Sequence, residues 1–267
     1  MHGCSPTWLI NLNVWWSRAK VEKASGEEFL ICAISRLLCT PDIRHVAVGA
    51  ASPIPGAAAL LAQATDNPQL RVSIIHGDTN NPFTDGGREL FDCAGQGRID
   101  AFFLGGVQID GAANINLVGL GKYPETTRRF AGSFGSAYMY FTVPNVFLFA
   151  HEHSDRVLVP RVDFISAPGS SPDDVARTGG PKYLVSNLAI MEFDPAKKLF
   201  RLMSVTPGHS VDEVVEKTGF EIEIAADVST TSEPATEQLD LLKRIVAPSL
   251  ARTYPDFTAR VFGLIPL

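Results

Sequence analysis

The residues able to do chemistry are concentrated between Phe102 and Gly135, in FFLGGVQIDGAANINLVGLGKYPETTRRFAGSFG. A short apolar run, Phe102-Phe103-Leu104, stops at Gly105-Gly106. A core strand delivers bare backbone to a pocket in this way, because glycine lets a ligand approach main-chain N–H groups closely. Gln108, Asn114 and Asn116 add neutral amides, and Gly132-Ser133-Phe134-Gly135 makes a second small-residue turn. Backbone donors and amides in this pattern hold a polar, carbonyl-bearing ligand by hydrogen bonds, and they lack the anionic ligands of a metal cage. Zinc comes into question at His151-Glu152-His153, where alternation along a strand would put both imidazoles on one face. The spacing is not HExxH and no third ligand can be named, so no metal is expected. Residues Val48 to Gly56 (VGAASPIPG) follow a strand and open a helix, as a dinucleotide loop does. They lack GxGxxG spacing, and Pro53 and Pro55 remove two N–H donors a pyrophosphate would use.

Elements with clear periodicity must position these residues. Glu27 to Leu38 predicts an amphipathic helix with Phe29, Ile31, Cys32, Ile34 and Leu38 on one buried face. His45 to Gly49 and Arg71 to Ile75 predict strands, the second stopping at His76-Gly77-Asp78. A small-residue helix, Gly56 to Ala64, lies between them, and Arg88 to Gly95 predicts a helix capped by Gly95 and Gly97. Further strands are expected at Val146–Ala150 and Arg156–Val159, and a hairpin is expected from Tyr183–Leu188 and Leu199–Val205 around the Asp194-Pro195 turn. Ser166 to Pro181 reads as a loop, Ser210 to Glu213 as a capping box, and Glu237 to Val246 as a last helix. Strand, turn and helix alternate, which predicts an α/β open sheet flanked by helices, with ligands at the carboxyl ends of the strands.

The glycine turns above, GGVQID…NIN…G and RRFAGSFGS, resemble the beta subunit of the family I CoA-transferases, especially the glutaconate CoA-transferase type. Three further segments resemble it in the same order: VGAASPIPGA from Val48, His151-Glu152, and PKYLVSNLAIMEFD with VTPGHSVDEVVEKTGFEI. The likeness runs from Glu27 to Pro248. It implies a single CoA-transferase-like domain over residues 25–267, paired with a homologous alpha subunit as a heterodimer or heterotetramer. It also implies an acyl-CoA thioester as substrate, no resident cofactor, and an active site at the subunit interface. In that family a glutamate at a strand end attacks the acyl-CoA carbonyl, since the enzyme group must itself become an acyl carrier. Aligning the glycine of its turn on Gly77 puts Ile75 at that position, and isoleucine has no nucleophilic atom.

Relatives on this scaffold without the glutamate hydrolyse a carbon ring on a CoA thioester or decarboxylate a CoA-bound diacid. Three roles therefore stay open: a transferase subunit, a hydrolase or decarboxylase subunit, and a structural partner of a catalytic alpha subunit. His76 is the local substitute, either a general base with Asp78 orienting it or a capping histidine at a loop start. The resemblance makes Gly105 and Gly106 backbone donors toward the thioester oxygen. It makes Gly132, Ser133 and Gly135 the lining of the acyl or CoA channel. Gln108, Asn114 and Asn116 are either pocket-shaping amides or satisfiers of their own turns.

Bulk properties narrow the partners. The net charge of −6, with no run of three basic residues, argues against nucleic acid or an anionic membrane. Cys4, Cys32, Cys39 and Cys93 show no CxxC pairing, and with no export signal a reducing cytoplasm is expected. Residues 1–24 hold all three tryptophans, Trp8, Trp15 and Trp16, and precede the resemblance. They fit a misplaced start, an extension packed on a partner, or a flexible tail, and the aromatic content argues against the last.

Overall fold

The computed structural model describes residues 24–264, so the expectations for the amino-terminal extension fall outside it apart from Ala24. The first helix, α1 (Gly26–Leu37), starts at a reciprocal cap: Glu28 N–H donates to Ser25 Oγ and Ser25 N–H to the Glu28 carboxylate. Then follow β1 (His45–Val48), α2 (Pro53–Ala64), β2 (Arg71–Ile74), α3 (Gly87–Gly95) and β3 (Ala101–Gly105). Pro53 begins α2 where a missing N–H costs nothing. Two short ribbons come next, β4 (Gln108–Ile109) with β5 (Ile115–Asn116) and β6 (Gly119–Leu120) with β7 (Arg128–Arg129). After α4 (Ser136–Thr142) come β8 (Asn145–Ala150), β9 (Pro181–Ser186), β10 (Ala189–Asp194), β11 (Leu199–Val205), α5 (Val211–Glu216) and β12 (Glu223–Thr230). The described residues end with α6 (Thr236–Leu241), a π-helical turn (Leu242–Val246), α7 (Ala247–Leu250) and α8 (Pro255–Phe262).

Among the described residues eight strands form one sheet in the order β12-β11-β10-β9-β8-β3-β1-β2. From β2 to β9 neighbouring strands are parallel; β10 runs antiparallel to both of its neighbours, and β11 and β12 are parallel. Alternation along the central strands feeds two cores. Val46, Phe103 and Phe147 pack with α1 and α2 on one face, while Ala47, Phe102, Leu104 and Leu148 pack with α3 and α4 on the other. Burial on both faces is why these strands read as continuous apolar runs.

Three expectations need correction, and one strand lies outside them. Arg156–Val159 is a turn, closed by the N–H groups of Val157 and Leu158 on Ser154 O, and it touches Ile109 only through an isolated bridge at Leu158. Its apolar character comes from burial of Leu158 and Val159 under the loop, not from strand pairing. The hairpin partner of Leu199–Val205 is Ala189–Asp194, with Pro181–Ser186 beyond it, so three strands stand where two were expected. Edge strand β12 escapes a hydrophobic reading because it is mostly exposed and mixes Glu223, Asp227, Ser229 and Thr230 with apolar residues. The last helix does not stop at Val246: the π-helical turn leads into α7, which accepts Pro248 near its start, and α8 follows.

Candidate active site

Strands β1, β2, β3 and β8 end side by side. The positions at or just past their ends, Gly49, Ile75, Gly105 and His151, all line one cavity of about 610 Å³. The crossover after β1 puts α2 on one face of the sheet and the crossover after β2 puts α3 on the other. The crevice therefore opens where the winding reverses beside β1, the place where open α/β sheets bind ligands.

Local turns aim these residues. Gly77 N–H donates to Ile74 O at 2.9 Å, and a Cβ on Gly77 would stand 2.8 Å from that same oxygen, so only glycine closes the turn. The turn holds His76 at φ 61°, a left-handed conformation sparsely used by non-glycine residues, and leaves its residue on the cavity wall. Ile75 is half-buried, and its N–H donates to Val48 O at 3.0 Å. Asp78 pairs with Arg252 at 2.9 Å, and its N–H donates to Thr253 Oγ1. Among the described residues no hydrogen bond or ion pair joins Asp78 to His76.

The glycine and amide residues divide into two groups. Gly105 and Gly132 line the cavity; Gly106, Gln108, Asn114, Asn116, Ser133 and Gly135 do not. Asn116 Nδ2 donates to Gln108 Oε1 and to Gly119 O, both at 2.8 Å, and its Oδ1 accepts from the N–H groups of Val118 and Gly119. Gln108 Oε1 also accepts from Asp163 N–H at 2.9 Å. Asn114 is held between Asp110 and Gly169 N–H. All three amides thus knit the loop behind the cavity. Gly106 is required by a tight turn, since a Cβ there would lie 2.8 Å from Gln108 O. Gly135 has φ 64°, and a Cβ on it would meet the Phe91 ring at 2.1 Å. Ser133 O accepts from Ser136 Oγ at the start of α4.

The two histidines near the end of β8 part company because the strand stops at Ala150. His151 is exposed on the cavity wall, edge-on to Phe149. His153 is buried between Ser186 Oγ (2.7 Å) and Thr218 Oγ1 (2.9 Å), and burial pushes its pKa down to about 4. Thr218 Oγ1 donates to Val214 O at 2.6 Å, so it accepts from His153 Nε2–H, and Nδ1 then takes the Ser186 hydroxyl proton at 2.7 Å in preference to the Ala189 carbonyl at 3.3 Å.

Arg260 and Phe257, both on α8, also line the cavity, and the motif reading did not reach them. Their spacing of three on an amphipathic helix is the signal that a reading of the C-terminus would have caught. Arg260 Nη1 donates to the Glu27 carboxylate on α1, and its guanidinium lies over the Phe257 ring, 5.7 Å from the centroid. Arg260 holds the Glu27 carboxyl below the usual carboxylate range. Among the described residues lining this cavity there is no Asp or Glu.

A sequence profile described as coenzyme A transferase matches residues 34–217. The IpdB subunit of the cholesterol ring-cleaving hydrolase of Rhodococcus jostii is 31% identical over 172 residues, which is 62% of this chain and 66% of that one, just under two thirds. The B-type subunit of 3-oxoadipate CoA-transferase from Pseudomonas knackmussii is 28% identical over 252 residues, 85% of this chain and 95% of that one. The crystal structure of Rhodococcus jostii IpdAB superposes with a TM-score of 0.74 at 26% identity, covering 85% of this chain and 96% of that one. Among the described residues no helix is long and apolar enough to cross a membrane.

Proposed function

Because the chain belongs to the coenzyme A transferase family, we propose that it is the B-type subunit of a two-chain enzyme acting on an acyl-CoA thioester. Its cavity serves hydrolysis, carbon–carbon cleavage or decarboxylation rather than transfer through a glutamyl intermediate. The observation that carries this reading is the cavity wall itself: Ile75 at the end of β2, and no carboxylate among the described lining residues. The glutamyl intermediate of transfer needs such a carboxylate, whereas water attack or proton transfer needs a base and an oxyanion site. Gly105 exposes backbone suited to a thioester oxygen, and His76 is the base nearest the β2 turn. The relative solved as IpdAB is a pair of subunits, which supports an alpha subunit here as the source of the remaining groups.

Transfer is the second reading, favoured by the near full-length match to a transferase chain. Mass spectrometry of the co-expressed complex with a panel of acyl-CoAs, with and without acceptor acids, separates the two. Acceptor-independent conversion of the acyl-CoA, as thioester hydrolysis, carbon–carbon cleavage or loss of CO₂, without a CoA-derived adduct on this chain, is expected. New acyl-CoA that depends on the acceptor would refute the non-transferase assignment.

A further inference from the structure

We propose that Arg260 is a specificity-determining residue that binds a carboxylate at the far end of the acyl group, selecting apolar acyl chains that carry a distal anion. This rests on the acyl-CoA reading of the cavity. Three observations carry it. Arg260 is the one Lys or Arg among the described residues lining the cavity, whose walls are otherwise largely apolar, with Ile54, Leu90, Phe91, Phe102, Met139 and Phe257. An anionic end in such a wall has this one permanent cation to meet, while a neutral chain needs none.

Second, the guanidinium is held from behind. Glu27 lines a neighbouring cavity, which shares His151 with this one, and does not line this one. Glu27 engages Nη1 only, so Nε and Nη2 have no protein partner among the described residues. Those two nitrogens form the edge that grips a carboxylate with two parallel hydrogen bonds. Third, the residue is oriented without being buried. Arg260 lies over the Phe257 ring and its side chain is 61% exposed, whereas Glu27 is 21% exposed. Glu27 is thus a positioning residue, aiming a donor pair that remains open to the ligand.

The test uses the full chain with its partner subunit and two CoA thioesters of equal chain length. Pimeloyl-CoA carries a free distal carboxylate and heptanoyl-CoA carries none, and binding is read by calorimetry. Arg260→Gln is expected to weaken pimeloyl-CoA by about tenfold and heptanoyl-CoA by less than about twofold, with a small fall in melting temperature from the lost Glu27 pair that is common to both measurements. Arg260→Lys keeps the charge without the fork and is expected to recover part of the loss. Equal weakening of both thioesters, or a preference for pimeloyl-CoA that survives Arg260→Gln, would overturn the assignment while leaving the acyl-CoA reading intact. Failure of the wild type to bind either thioester would overturn the acyl-CoA reading, and the assignment with it.

Discussion

Replacing His153 by Gln isolates a buried, neutral imidazole that the local sequence His151-Glu152-His153 disguises as a metal ligand. Its ordinary pKa of 6.5 in the unfolded chain faces about 4 in the folded one, because desolvation disfavours the charged ring. Between those values the unfolded chain binds more protons, so stability rises with pH across the window and is lost as pH falls from 6.5 toward 4. The whole gap is worth about 3 kcal/mol, of which about 2 kcal/mol is gone by pH ~5. His45 is also shifted downward by burial, but it is present in both proteins and cancels in the comparison. Urea unfolding of wild type and His153→Gln at about pH 7.5, about pH 6 and about pH 5 reads the effect directly. The variant starts less stable, having exchanged a ring bonded at both nitrogens for a flexible amide. It should then lose about 2 kcal/mol less than wild type on going to pH ~5. Parallel curves for the two proteins would refute the reasoning, and so would stabilisation of the wild type by added zinc that the variant lacks.

Ile75→Glu places a carboxylate on the cavity wall beside His76, and mass spectrometry after incubation with an acyl-CoA should detect a CoA adduct absent from wild type. Gly135→Ala combines left-handed strain with a clash against Phe91 and should destabilise by about 2–4 kcal/mol in chemical unfolding. Arg177 donates to the carbonyls of Gly179, Pro168 and Tyr140 and lies over the Tyr140 ring, so Arg177→Ala should raise hydrogen exchange across residues 166–180.

What could be read from the chain before its structure follows from the range of the interactions involved. Apolar runs at His45, Phe102 and Val146 announced buried strands because their neighbours on both faces are apolar, a requirement written locally. Gly77 and Gly105 marked the turns at the strand ends for the same reason. Gln108, Asn114 and Asn116 were legible only as amides: a side chain that hydrogen-bonds a ligand and one that braces a loop are the same residue type, and the choice depends on Asp163, Gly169 and Gly119. The shared helix face of Phe257 and Arg260 was legible, but the contact that aims Arg260 was not, because its partner, Glu27, lies 233 residues away. No periodicity carries that contact; it exists only once α8 has folded back over the start of α1.

The four strand ends also limit what this chain can do by itself. Gly49 and Gly105 offer main chain, Ile75 offers methyl groups, and His151 offers an imidazole. With His76 beside Ile75, both proton-exchanging groups at this edge are therefore imidazoles, one at each side of the bare backbone of β1 and β3. Imidazoles flanking a backbone donor suit a reaction in which a proton moves while negative charge gathers on a carbonyl oxygen. They do not suit one in which the protein holds the acyl group between two half-reactions. If a carboxylate carrier operates in the assembled enzyme, it must come from outside the described residues of this cavity wall. That places the discriminating variants in this chain at His76 and His151: loss of turnover in His76→Ala, with assembly intact, would put the proton transfer here, and unchanged turnover would assign it to His151 or to the partner.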